Sequence, residues 1–164
     1  MTKFDNISFD YTDALQLSSN IDNSTWENEN RCASIAEIII NNKKVLLYSL
    51  HLASNACKPS KYRFEQLNNL TNYIESKSPE CVIGGGDFNV YKNSPCLQPI
   101  TEKQDLLIKG DLGATCSLAE EETLSWPIDR VYGSGFKSIF SEKLAFPKLS
   151  DHCMVLTDLV MSDY

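Results

Sequence analysis

The stretch "VIGGGDFNV", Val82 to Val90, decides how this chain is read. Two apolar residues lead into three glycines, and an aspartate and an asparagine then flank a phenylalanine. Cys81 to Ile83 reads as a short buried strand. Glycines at its end leave bare backbone that a ligand or a second backbone can approach, because no side chain stands in the way. Asp87 and Asn89 have one residue between them, so in extended geometry both point to the same side. An aspartate beside an amide packs poorly but suits a hydrated metal ion or a phosphate oxygen. Taken alone, Gly86 to Asn89 fits a turn with an Asx cap equally well.

Upstream, Phe64, Leu67, Leu70, Tyr73 and Ile74 recur at three- and four-residue spacing, which puts them on one face of a helix over residues 60–76. Pro59 and Ser60 suit its start, and Pro79 ensures its stop. Before it, Ala33 to Ile40 and Val45 to Leu50 are apolar runs parted by "NNKK", a hairpin signal whose asparagines tolerate positive φ. The second run ends in "SLHLAS". The first thirty residues are polar and asparagine-rich and read as an irregular lead-in with one short strand. Downstream, residues 93–126 hold a short helix or two among loops. After them "PIDRVY", Lys137 to Phe140 and "HCMVLTDLVM" read as strands. A strand–helix–strand order packs helices onto a sheet, so the class is mixed α and β, with residues 1–164 as one domain.

The composition sets outer limits. A chain of 164 residues that is 42% hydrophobic buries a substantial core. Its net charge of −7 means that contact with a phosphate polymer needs a local basic patch or a bound metal. No apolar run approaches the ~20 residues that span a bilayer, and "MTKFDNISFDYTDALQ" is no secretory signal. An intracellular, cytoplasmic protein is therefore expected. Six cysteines occur, none paired at C-x-x-C spacing, so free and mostly buried thiols are expected and a zinc site is not. Cys81 and Cys153, beside apolar runs, look like small core residues.

Three further islands carry titratable groups. His51 stands at the end of an apolar strand, where a lone histidine is more often a satisfied core residue than a catalyst. Asp129 lies inside "PIDRVY", where an isolated carboxylate is costly unless paired. Asp151 and His152 immediately precede the last strand. Strand ends converge at one edge of a sheet, so these islands and "GDFN" are expected to form one site.

In order, "HL", "GDFN", "ID" and "SDH" resemble the endonuclease/exonuclease/phosphatase superfamily. That superfamily includes pancreatic-type deoxyribonucleases, apurinic endonucleases, neutral sphingomyelinases, inositol-polyphosphate phosphatases and tyrosyl-DNA phosphodiesterases. Arg63 to Leu67, "RFEQL", is similar to the family's R-x-x-Q-L helix, and the resemblance covers residues 31–159. It implies an α+β fold, a β-sandwich flanked by helices in four layers, α/β/β/α. It also implies metal-dependent hydrolysis of a phosphate ester by in-line attack of water. Carried over by position, His51 contacts the scissile phosphate and acts as general acid. Asp87 orients or deprotonates the water, and Asn89 holds a phosphate oxygen. Asp129 pairs with His152, the general base, and Asp151 is linked to the metal. The implied ion is Mg2+, with Mn2+ as the alternative. The implied substrate is a nucleic acid, a phosphoinositide or another phosphodiester.

The chain departs from the family upstream. An N-terminal asparagine and a glutamate, the family's principal metal ligand, lie well before the "HL" strand. Here no strand ending in "QE" precedes His51, and Glu27 and Glu29 sit in the polar lead-in and are not accepted as substitutes. The expected sandwich is thus N-terminally incomplete. A fragment of an active enzyme is favoured over a non-catalytic homologue acting as a binding domain, or a half completed by another chain. Other enzyme classes fit worse. "YGSGF" fails as a nucleophile elbow because Gly133, Ser134 and Gly135 are adjacent, and no lysine follows "GGG" at P-loop spacing.

Overall fold

The computed structural model describes residues 8–16, 31–54, 60–117, 125–146 and 148–162, the first of these segments by its backbone. The lead-in contributes one strand, β1 (Ser8–Gln16), longer than the short strand expected. The hairpin forms as β2 (Cys32–Ile40) and β3 (Lys43–His51). Its turn is Asn41 and Asn42, with φ of 52° and 63°. Two successive left-handed residues match the twist of a tight antiparallel hairpin, and asparagine is among the few residues that accept that conformation cheaply. Lys43 and Lys44 belong to the strand and not to the turn.

Helix α1 (Ser60–Lys77) follows, and the chain leaves it at Ser78, whose N–H donates to the Glu75 carbonyl at 3.0 Å. Leu67, Leu70 and Ile74 are buried. At about 1.5–3 kcal/mol per buried side chain, that face is enough to dock the helix. Phe64 departs from the expected face at 39% exposed, and its neighbour Arg63 is buried instead.

Strand β4 (Cys81–Asp87) continues through all three glycines. After it come a 3₁₀ turn (Pro95–Leu97), α2 (Gln98–Thr101), β5 (Asp105–Leu106), β6 (Cys116–Ser117), β7 (Ser125–Trp126) and β8 (Asp129–Ser134). The chain closes with β9 (Phe136–Leu144) and β10 (Met154–Met161). Strands β1-β2-β3-β4-β8-β5 form one six-stranded sheet; β9 and β10 pair in a second, and β6 and β7 in a third.

The glycines of β4 make room for the protein itself. A Cβ on Gly84 would lie 2.2 Å from the Tyr48 ring, and one on Gly86 would lie 1.9 Å from the Leu50 carbonyl oxygen. Here the close approach expected at these glycines comes from neighbouring strand β3.

Strand alternation divides the core in two. Leu46, Tyr48, Leu50, Val82 and Tyr132 face the helices, packing with Leu67, Leu70, Leu97 and Ile100. Val45, Leu47, Cys81, Ile83 and Val131 face the other way, toward Phe136 of β9 and Leu159 and Met161 of β10. The result is an α+β sandwich, with helices on one side of the large sheet and the β9–β10 sheet on the other. Among the described residues no helix is long and apolar enough to cross a membrane.

Candidate active site

Register builds the centre of the site. Strands β3 and β4 pair in parallel with His51 opposite Asp87, and β4 and β8 pair antiparallel with Asp87 opposite Asp129. The three residues form one row across adjacent strands. Their parity is that of Leu47, Ile83 and Val131, so the row stands at the rim of the layer between the two sheets.

Asp87 is the hub. Its Oδ1 accepts the Asn89 backbone N–H at 2.7 Å, so "GDFN" does make an Asx turn. Its Oδ2 lies 3.3 Å from His51 Nε2 and 3.9 Å from His152 Nε2. The His51 side chain is 56% exposed, so the satisfied core histidine is not what forms. Asn89 takes φ of 53°, which turns the chain out of the strand, and its Nδ2 donates to the Leu52 carbonyl at 2.9 Å. Between the two polar residues Phe88 is fully buried, edge-on to Tyr132 at 5.2 Å, and pins the turn to the core.

His152 is oriented by Asp129, whose Oδ2 lies 2.9 Å from Nδ1. Partial burial pulls the His152 pKa down. The hydrogen bond and charge of Asp129, with Asp87 and Asp151 nearby, outweigh that and hold it above the ordinary imidazole value. Asp129 is fixed in turn by Thr115, a buried hydroxyl that accepts the N–H groups of Ile128 at 3.1 Å and Asp129 at 3.0 Å. The Thr115 carbonyl accepts the Cys153 N–H, and the Asp151 carbonyl accepts the Ser117 N–H. These bonds and the Cys116–His152 bridge lash the loop carrying Asp151 and His152 to β6, which Thr115 joins to β8.

The "RFEQL" helix also has a local purpose. Arg63 Nη1 donates to the carbonyls of Ala53 and Ser54 at 3.2 and 3.1 Å, and Gln66 Oε1 accepts the Ala53 N–H at 3.1 Å. The segment just after His51 is thereby clamped to α1.

All six residues singled out in the sequence therefore converge at one end of the large sheet. Asp87, Asn89, Asp151 and His152 line a cleft of about 370 Å³, together with Tyr91, Cys116 and Trp126. Those last three, and Thr115, were missed: Cys116 and Thr115 fall in the stretch with no readable period, and β6 is only two residues long. The donors in the cleft form two sets. The carboxylates of Asp87 and Asp151 and the Asn89 amide oxygen are hard oxygen donors, of the kind magnesium takes, spread along the cleft wall. Cys116, Asp151 and His152 form a mixed set whose ligand atoms all lie within 4.8 Å of one another. Glu27 and Glu29 lie outside the described residues.

A six-stranded sheet backed by helices, faced by a second sheet and carrying this row at its rim defines the endonuclease/exonuclease/phosphatase fold. Solved structures bear this out. The chain is similar to an endonuclease/exonuclease/phosphatase from Bacteroides vulgatus, at 20% identity and a TM-score of 0.76 over 96% of this chain and 67% of that one. It is similar to a mannosyl-6-phosphatase of Bacteroides thetaiotaomicron, at 17% identity and a TM-score of 0.70 over 96% and 68%. D. rerio TDP2, complexed with a single-strand DNA product, aligns at 15% identity and a TM-score of 0.69 over 94% and 69%. The chain spans about two thirds of the length of these proteins. No protein-family model and no curated protein matches it.

Proposed function

We propose that this chain carries the reactive face of a metal-dependent phosphoesterase, of the phosphodiesterase or nuclease type, that hydrolyses its substrate by in-line attack of water. The observation that carries the reading is the His51–Asp87–Asp129 row completed by His152, in which one carboxylate serves two imidazoles and a second fixes the tautomer of one of them. With Nδ1–H held by Asp129, the neutral His152 presents the lone pair of Nε2 and takes a proton from the attacking water. Asp87, beside that nitrogen, orients the water. Asn89 spends one amide hydrogen on Leu52 and keeps the other for a phosphate oxygen. His51, exposed beside the cleft, meets the scissile phosphate and protonates the leaving oxygen. Magnesium, or manganese in its place, held when bound by Asp151 with Asp87, supplies charge neutralisation to the phosphoryl group. The substrate is a phosphate ester such as a nucleic acid or a phosphoinositide.

Hydrolysis of an aryl phosphodiester, with and without magnesium, tests this. Slow turnover is expected, stimulated by magnesium and reduced at least ~100-fold in His152→Ala. Wild-type and His152→Ala chains that behave alike would favour the non-catalytic binding domain.

A further inference from the structure

We propose that Cys116, Asp151 and His152 form a binding site for a thiophilic divalent ion, zinc above all. The three come from β6 and from the loop ahead of β10, and their ligand atoms lie within 4.8 Å of one another. Around a tetrahedral zinc, at about 2.0–2.3 Å per bond, donors stand roughly 3.5 Å apart, so side-chain rotation of about 1 Å closes the set.

Three features mark this as a prepared site. First, the backbone holds it: Cys116 and His152 face each other in an antiparallel bridge, and the Asp151 carbonyl takes the Ser117 N–H at 2.8 Å. Second, Asp129 occupies His152 Nδ1, which leaves Nε2 as the ligand nitrogen with a carboxylate behind it. That carboxylate–histidine relay is the usual support of a zinc ligand. Third, Cys116 is 5% exposed, lines the cleft and receives no hydrogen bond at sulfur from the described residues. The carboxylates of Asp151, Asp129 and Asp87 surround it with negative charge. Those same carboxylates favour a dication, whose binding displaces the thiol proton to solvent and forms the metal–sulfur bond. A water molecule can complete the tetrahedron, as it does in zinc sites with three protein ligands.

Sulfur selects the ion, because magnesium has little affinity for a thiolate and zinc a great deal. Zinc here would take Asp151 from the hard ion and the Nε2 lone pair from proton transfer, so it would inhibit and not activate. Binding itself does not depend on the hydrolytic reading. The test is titration of the purified chain with cobalt(II) as a spectroscopic stand-in for zinc. A thiolate-to-cobalt charge-transfer absorption at one equivalent, bleached by one equivalent of zinc, is expected. It should vanish in Cys116→Ser and persist in Cys153→Ser. Absence of the band in the wild type, or its survival in Cys116→Ser, would overturn the proposal. Should Cys116→Ser fail to fold, Asp151→Ala, at an exposed position, replaces it. Cobalt affinity should then fall at least about tenfold with the band retained at saturation. Unchanged affinity in Asp151→Ala would also overturn it.

Discussion

In the proposed reaction Asp129 is the residue that orients His152: its side chain is 16% exposed and its Oδ2 lies 2.9 Å from His152 Nδ1. Asparagine there keeps the volume, loses the charge and can donate where a proton must be accepted. Removing the carboxylate that orients a catalytic histidine costs up to about 10⁴ in kcat, and His152 is partly open to solvent, so roughly 10² to 10³ is expected for Asp129→Asn. The acidic limb of the rate profile should move to lower pH, since the charged imidazole loses its partner. An unchanged rate and profile would mean that the pair does nothing. The same contact has a thermodynamic signature. A pKa raised on folding contributes stability that is complete below the unfolded imidazole value and is lost as pH rises through the folded one. The unfolding midpoint of the wild type should therefore exceed that of Asp129→Asn by more at about pH 6 than at about pH 9. Equal differences at both would place the cost elsewhere.

Strand β4 shows what an element requires of its residues. Gly86 has φ of 140° and a Cβ there would sit 1.9 Å from the Leu50 carbonyl, which belongs to the adjacent backbone and cannot swing away. Gly86→Ala combines a strained dihedral with that clash, and a loss of roughly 3 kcal/mol or more is expected in urea unfolding. Gly110 provides the contrast, with φ of 84° and nothing within 4 Å of the point a Cβ would occupy, so Gly110→Ala should cost only about 1 kcal/mol. Similar losses for the two would show that the dihedral matters and the close approach does not. Helix α1 makes a complementary point. Its buried Arg63 and Gln66 give up water to hold Ala53 and Ser54, so the helix positions the chain beside His51 as well as covering the core.

Across the whole molecule, core and site share residues. Phe88 lies between Asp87 and Asn89, is fully buried, and packs on Tyr132 at a 66° interplanar angle. Phe88→Ala should lower stability by about 3–5 kcal/mol, a large part of what a domain of this size possesses. Phe88→Leu should recover most of it, as urea titration would reveal. If Phe88→Ala were nearly neutral, the turn would be held by its hydrogen bonds alone. The layering explains where the site lies: the row bearing His51, Asp87 and Asp129 has the parity of the intersheet core, so the site forms where that layer meets solvent.

The amino-acid sequence by itself determined the hairpin around Asn41 and Asn42, the helix ending before Pro79 and the strand into Asp87. Each is set by short-range pattern: turn residues that accept positive φ, a three-to-four repeat, an apolar run. It also marked His51, Asp87, Asp129, Asp151 and His152, with Asn89 beside Asp87, because a titratable group bordering or interrupting an apolar run is conspicuous. Only the tertiary structure decided which of them meet. Register sets His51 against Asp87 and Asp87 against Asp129, and β3 and β8 are far apart along the chain. It likewise exchanged Phe64 for Arg63 on the buried side of α1, because two carbonyls beyond His51 needed a donor. Cys116 carries no local signal at all. Its place beside Asp151 and His152 follows from backbone bonds between segments more than thirty residues apart, and such pairing depends on packing that no sequence period encodes.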